Sequence, residues 1–184
     1  MDIFTAFGLS ASAGLNAYIP LLVVAFVARF TELIELGSPW SLLENWWVIG
    51  VLLVLSLVEF FADKVPAVNH INDIIQTFVR PAAGAVVFAA SAQVGEVNPV
   101  LAMVAGLLIA GGVHAAKSVA VRPALTATTG GAANVPVSIA EDIISTILSI
   151  LAIVIPVLIA AVVILVLSWF IWWMWRRANR RAAA

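Results

Sequence analysis

IISTILSILAIVIPVLIAAVVILVLSWFIWWMWRR, residues 143–177, decides the class of this fold. Its first 33 residues carry no charge. As one helix they would reach about 50 Å, against a hydrocarbon core of roughly 30 Å. The segment is therefore expected to tilt, to kink at Pro156 or to project beyond a bilayer. Trp169, Trp172, Trp173 and Trp175 form an aromatic belt, and Arg176, Arg177, Arg180 and Arg181 follow at once. Tryptophans gather at membrane interfaces and positive charge is retained in the cytoplasm, so this end predicts a cytoplasmic C-terminus.

Four further apolar stretches precede it, at about 4–30, 46–61, 81–94 and 99–119. The 184-residue chain is 64% hydrophobic and 10% charged, with a mean hydropathy of +1.13. Soluble domains are about half apolar and a quarter charged, so water cannot be the solvent here. The reading is an all-α polytopic membrane protein, a bundle of about five transmembrane helices. A single transmembrane domain spans 1–175, a basic cytoplasmic tail spans 176–184, and the setting is a cell (inner or plasma) membrane. Ala11-Ser12-Ala13 resembles a signal cleavage site, but Met1-Asp2 supplies no positive start, so the N-terminus is expected in the mature protein. A net charge of −1 without a basic stripe sets nucleic acid aside. The absence of cysteine removes disulfides, thiolate metal sites and redox pairs.

Five crossings with the C-terminus inside put the N-terminus outside and Arg29 with the 30–45 loop inside. The connections at 61–80 and 120–142 then share the outer side, opposite the Trp/Arg anchor. The scarce non-tail charge converges there.

The first stretch is interrupted by Gly14-Leu15-Asn16-Ala17-Tyr18-Ile19-Pro20, where Pro20 removes a backbone bond and crowds the Asn16 carbonyl. A broken or re-entrant segment is expected near 14–20, and another at 122–138 (RPALTATTGGAANVPVS), whose small residues and Asn134-x-Pro136 make poor helix. Residues 67–78 read as a separate interfacial amphipathic helix, with Ile71, Ile74, Ile75 and Phe78 on one face and Asn69, His70, Asn72, Asp73 and Gln76 on the other. Ionisable groups at membrane depth are costly and tend to pair inside a bundle. Glu59, Asp63, Lys64, His70, Asp73 and Arg80 form one such set, and His114, Lys117 and Arg122 a second. Glu59 is expected to pair with Lys117 or Arg122. Ser138-Ile139-Ala140-Glu141 reads as a capping box in which Glu141 and Asp142 serve a helix N-terminus. Val79-Arg80-Pro81-Ala82 recurs as Val121-Arg122-Pro123-Ala124, and the Asn16 break is loosely echoed at Asn134, the pattern of paired broken helices in transporters.

These motifs, Gly14–Pro20, Glu59-Phe60-Phe61-Ala62-Asp63-Lys64-Val65-Pro66, Gln76–Ala85, the His114/Lys117 region and Val137–Asp142, resemble a family of uncharacterised bacterial membrane proteins, domain of unknown function 4126. The resemblance covers nearly the whole chain. It implies a compact multi-pass membrane protein and no particular activity.

Three functions compete. A small transporter or channel would use Asn16, Tyr18, Glu59, Asp63, Lys64, His70, Asp73, Arg80, His114, Lys117, Arg122, Asn134, Glu141 and Asp142 as an ion or solute pathway. An accessory subunit of a homo-oligomer or larger membrane complex would use the small residues Ala102, Gly106 and Ala110 for helix packing. A membrane enzyme or metal site on Asp63, His70, Asp73 and His114 lacks any recognised motif, and no catalytic residue, metal or cofactor is assigned. The bilayer is the one partner expected in every case.

Overall fold

The computed structural model describes residues 3–92 and 97–182, with side chains except at 66–67, 69–70, 156–161 and 178–182. Among them every regular element is helical. Helix α1 is Ile3–Leu15, α2 Tyr18–Phe30, α3 Trp46–Ala62, α4 Pro66–Ser91 and α5 Pro99–Ala116. A π-helical turn at Lys117–Val121 leads into α6, Arg122–Thr129, followed by α7, Asn134–Val154, and α8, Pro156–Ala182. Three segments are long and apolar enough to cross a membrane: Ile71–Ser91, Pro99–Thr129 and Asn134–Val154. Helices α1, α2 and α3 are apolar but shorter.

The helices are turned inside out relative to a soluble protein. On α4, Ile71, Ile74, Ile75 and Phe78 are exposed while Asn72, Gln76 and Arg80 are buried. On α7, Ser138, Glu141, Ser145 and Ser149 face the core, and Ile139, Ile143, Ile144, Ile147 and Ile150 face outward. Burying the polar stripe and exposing the isoleucines is unfavourable in water, where apolar area is driven inward at about 25 cal/mol per Å². It is the favourable arrangement where the surroundings are hydrocarbon.

Residue pairings fix the helix directions. Ser10 Oγ donates to the Gly84 carbonyl (3.0 Å), and Phe7 meets Phe88, so α1 runs antiparallel to α4. Phe30 packs on Trp46 and Arg29 donates to the Glu44 carbonyl (2.7 Å), so α2 runs back antiparallel to α3. The first apolar stretch is thus a helical hairpin, not one continuous helix. Its tip is Asn16, 1% exposed, whose Oδ1 accepts from the Tyr18 and Ile19 amides (both 3.1 Å). That side chain satisfies two of the amides left free where a helix begins, and Pro20 lies in the first turn, where no amide is needed.

The last stretch also divides. Helix α7 ends at Val154 and α8 begins at Pro156 after one non-helical residue, Ile155. Helix α8 then packs against α1 and returns toward the α5–α6 junction, where Phe170, Trp173, Met174 and Arg177 line a groove with Val119, Ala120 and Ala124. The Trp/Arg anchor therefore stands at the same end of the bundle as Arg122, not opposite the charged residues. The excess length that called for a kink at Pro156 is resolved by a reversal.

Two expected boundaries are absent. The amphipathic segment 67–78 is not a separate helix but the first half of α4, which continues through Pro81 to Ser91. Asn72 and Gln76 of its polar face are buried and its apolar face is exposed, the reverse of an interfacial helix resting on protein. Residues 122–129 are α6 rather than irregular chain. There the hydroxyls of Thr126, Thr128 and Thr129 donate to the carbonyls four residues back (2.9, 2.8 and 2.7 Å), and Pro123 occupies the first turn. The interruption is confined to a turn in which Gly130 and Gly131 adopt φ +63° and +90°, accessible to glycine without strain.

Small residues set the closest approach. A Cβ on Gly84 would collide with Ala110 and the Gly106 carbonyl, and one on Gly106 with the Gly84 carbonyl and Phe88. The Ala102, Gly106, Ala110 stripe is thus consumed between α4, α5 and α1 and offers no free face to a partner. Ser12 Oγ lies 2.8 and 2.7 Å from the Ser145 and Ser149 hydroxyls, tying α1 to α7.

Candidate functional site

Four helical segments deliver charge to one end of this bundle. Helix α3 brings Glu59, Asp63 and Lys64 to its C-terminus, and α4 brings Asp73 and Arg80 back past them. The α5–α6 junction carries His114, Lys117 and Arg122, while the start of α7 carries Glu141 and Asp142. Five of the chain's ten acids and four of its nine Lys and Arg meet here.

At the deepest level, Arg80 is fully buried. Its Nη2 and Nε donate to the same oxygen, Glu59 Oε1, at 2.8 and 3.3 Å. Its Nη1 lies 3.3 Å from His114 Nδ1, and His114 Nε2 lies 3.3 Å from Thr77 Oγ1. A second ring centres on Asp63. Oδ2 is 3.7 Å from Arg80 Nη2 and 3.5 Å from Arg122 Nη2, and it accepts from Ser138 Oγ at 3.3 Å. Asp63 Oδ1 accepts from Asn72 Nδ2 at 2.6 Å. Arg122 also pairs with Asp73. The two arginines of the Val-Arg-Pro-Ala echo therefore converge on one carboxylate from helices running in opposite directions.

A third level joins this network to the hairpin tip. Lys117 Nζ is 2.5 Å from Glu141 Oε2 and 3.5 Å from the Leu15 carbonyl, one of those left unpaired where α1 ends. Asp142 accepts from Asn16 Nδ2 through Oδ1 (3.0 Å) and from Lys64 Nζ through Oδ2 (3.1 Å). Lys64 also lies over the Phe60 ring, 3.3 Å from its centroid. The tip of the α1–α2 hairpin thus meets charged side chains through the Leu15 carbonyl and the Asn16 amide.

The expected members are brought together with different partners. Glu59 pairs with Arg80, not with Lys117 or Arg122, at 2.8 Å from Arg80 Nη2. The capping box at Ser138–Glu141 does not form. Helix α7 begins at Asn134, a turn earlier, which frees Ser138 for Asp63, Glu141 for Lys117 and Asp142 for Lys64. Asn134 stays apart, donating to Thr126 Oγ1 (3.3 Å) in the α6–α7 turn, so its likeness to Asn16 is not matched by a shared site. Tyr18 faces Gln76. The His70 side chain lies outside the described residues. Among the described residues no three His, Asp or Glu side chains are grouped as a metal site, and Asp63, Asp73 and His114 face arginines instead.

Gln76 and Ser138 join the site without having been expected there. Gln76 has a legible signal, since Asn72, Gln76 and Arg80 recur every four residues on one helical face. Ser138 is masked by the capping pattern in which it sits.

No curated protein and no solved structure matches this chain. The family model described as Domain of unknown function (DUF4126) matches residues 3–177. The motifs that carried the resemblance, Gly14–Pro20, Glu59–Pro66 and Gln76–Ala85, are the hairpin tip and the two charge-bearing segments around Arg80, and the chain belongs to that family.

Proposed function

We propose that the protein is a small transporter or channel that moves an ion or small solute through the polar cluster. One observation carries this reading: the tip of a broken helical hairpin is buried against a charged network inside a bundle whose outer faces are apolar. Irregular backbone at membrane depth is tolerated only where protein or a cavity surrounds it, and broken helices of this kind line the sites of transporters. The small-residue stripe that would favour an accessory subunit is already used within the chain.

In this reading α3, α4, α5–α6, α7 and α8 are the five crossings, and α1–α2 is a re-entrant hairpin that enters and leaves on one side. Of the nine Lys and Arg, Lys64, Arg122 and the four tail arginines then lie at the charged end, with Arg29 alone at the other. Arg80 and Lys117 sit within the bundle. The positive-inside rule makes the charged end cytoplasmic. The C-terminus stays inside and the N-terminus outside, whereas the 30–45 loop moves outside and the 61–66 and 129–134 connections move inside.

The chain has no native cysteine, so a single introduced one reports its side cleanly. On intact cells a membrane-impermeant maleimide is expected to label Ser38→Cys and to spare Ala127→Cys, both exposed positions. The opposite pattern would invert the topology. For transport itself, purified protein in proteoliposomes is expected to pass at least one member of a panel of ions and small solutes. Glu59→Gln and Lys117→Ala should each cut that flux by about tenfold or more, the consequence of removing an interaction worth over about 1.4 kcal/mol. Flux no greater than in empty liposomes across the panel would sink the transport reading.

A further inference from the structure

The buried atoms left without a partner share one chemistry. Among the described residues they are Glu59 Oε2, Asp73 Oδ1, Gln76 Oε1, Ser91 Oγ, Asn134 Oδ1 and Glu141 Oε2. All are oxygens, and no nitrogen donor is among them. Glu141 Oε2 has the Lys117 ammonium beside it, and Ser91 and Asn134 lie away from the network. The shortage is sharpest at Glu59 and Gln76, which are 1% and 2% exposed. Arg80 spends two donors on Glu59 Oε1 and none on Oε2.

These two orphan acceptors belong to one neighbourhood. Gln76 is one helical turn before Arg80 on the same face of α4, and Arg80 holds Glu59. Tyr18, at the start of α2, faces Gln76. The charged and titratable groups around the Glu59 carboxyl are Tyr18 from α2, Asp63 from α3, Arg80 from α4, and His114 and Lys117 from the α5 end. Among the described residues the network holds five acids against four bases, with His114 counted as neutral. A buried carboxylate oxygen without a donor costs more than a neutral one. What would satisfy it is a donor or a positive charge.

We propose that Glu59 Oε2 and Gln76 Oε1 form the seat of a single monovalent cation, a proton or Na⁺, beside the tip of the α1–α2 hairpin. This deepens the transport reading, on which it rests, by naming the ion that the network takes up. Glu59 supplies the charge, Gln76 a neutral oxygen, and Arg80 pins the other carboxylate oxygen so that Oε2 alone remains available. Anions are disfavoured at this seat, since Glu59 Oε2 and Gln76 Oε1 can only accept.

The test is an equilibrium one on purified protein in detergent, independent of whether any flux is found. Thermal unfolding is followed as Na⁺ replaces choline at constant ionic strength, and infrared spectra are recorded across a pH series. If the ion is Na⁺, the midpoint rises with Na⁺ by mass action, and Gln76→Leu weakens the apparent affinity about tenfold, the loss of one ligand. If it is a proton, Na⁺ has no effect, and a protonated-carboxyl band disappears in Glu59→Gln and persists in Asp73→Asn. A protein that neither responds to Na⁺ nor shows a protonated carboxyl assignable to Glu59 overturns the proposal. Gln76→Met, close in length, serves where Gln76→Leu does not fold, and its outcomes are read the same way.

Discussion

Arg80→Met is expected to lower the stability of the folded bundle by about 3–5 kcal/mol, the range for breaking a buried pair by removing one partner. Arg80 is fully buried and serves Glu59, Asp63 and His114 together. Its loss strands Glu59 and reduces Asp63 to Arg122 as its cationic partner. Equilibrium unfolding in mixed micelles, read by tryptophan fluorescence, measures the change. The double variant Glu59→Met/Arg80→Met should recover much of it, because a buried pair replaced on both sides by apolar residues of similar volume is often close to neutral. If Arg80→Met alone unfolds at the wild-type midpoint, the ion pair is not a structural element. A double variant no better than the single would instead assign the damage to Asp63 and His114.

Gly106→Val is the second large effect. Its Cβ would meet the Gly84 carbonyl and the Phe88 Cβ, backbone and the root of a side chain, neither of which can swing aside. The two methyls beyond it enlarge the clash. Overpacking of well-packed cores costs about 1–3 kcal/mol, and here α4 and α5 must also separate, which loosens the α1 contacts at Ala110. A control lies on the same helix. A Cβ on Gly112 meets nothing within 4 Å, so Gly112→Ala should be neutral or stabilise by up to about 1 kcal/mol through helix propensity. Equal behaviour of the two variants would mean that the Gly84–Gly106 crossing does not hold the bundle.

Much of this arrangement is legible in the amino-acid sequence. Bulk hydropathy and the Trp/Arg end give the class, and the Asn16–Pro20 break marks the tip that the structure places in the charged network. The convergence of Glu59, Asp63, Lys64, Arg80, Lys117 and Arg122 follows from the cost of isolated charge in hydrocarbon. What is not legible is where a continuous apolar run reverses. Residues 4–30 and 143–175 each look like one crossing because hydropathy averages along the chain and is blind to direction. Only the contact of Phe30 with Trp46 and the groove shared by Phe170 and Ala120 show that each folds back. The partner of Glu59 is hidden for a related reason, since the depth of residue 80 depends on α4 running through Pro81. The capping pattern at Ser138–Glu141 misleads because a local signal is silent when the helix begins a turn earlier.

The depth of Arg80 also bears on how the chain is made. Helix α4 on its own would present an arginine and a glutamine to lipid near its middle, and a central arginine opposes insertion by about 2.5–3.5 kcal/mol on the translocon scale. The preceding helix carries the remedy, for Glu59 meets Arg80 as soon as the short connection after Ala62 lets α4 turn back. On the proposed topology, helices α3 and α4 are best delivered to the bilayer as one pair, already neutralised, rather than in succession. The α1–α2 hairpin, synthesised first, would wait at the membrane for Lys117 and Asp142 to arrive, so the charged centre closes only when the last third of the chain has been inserted.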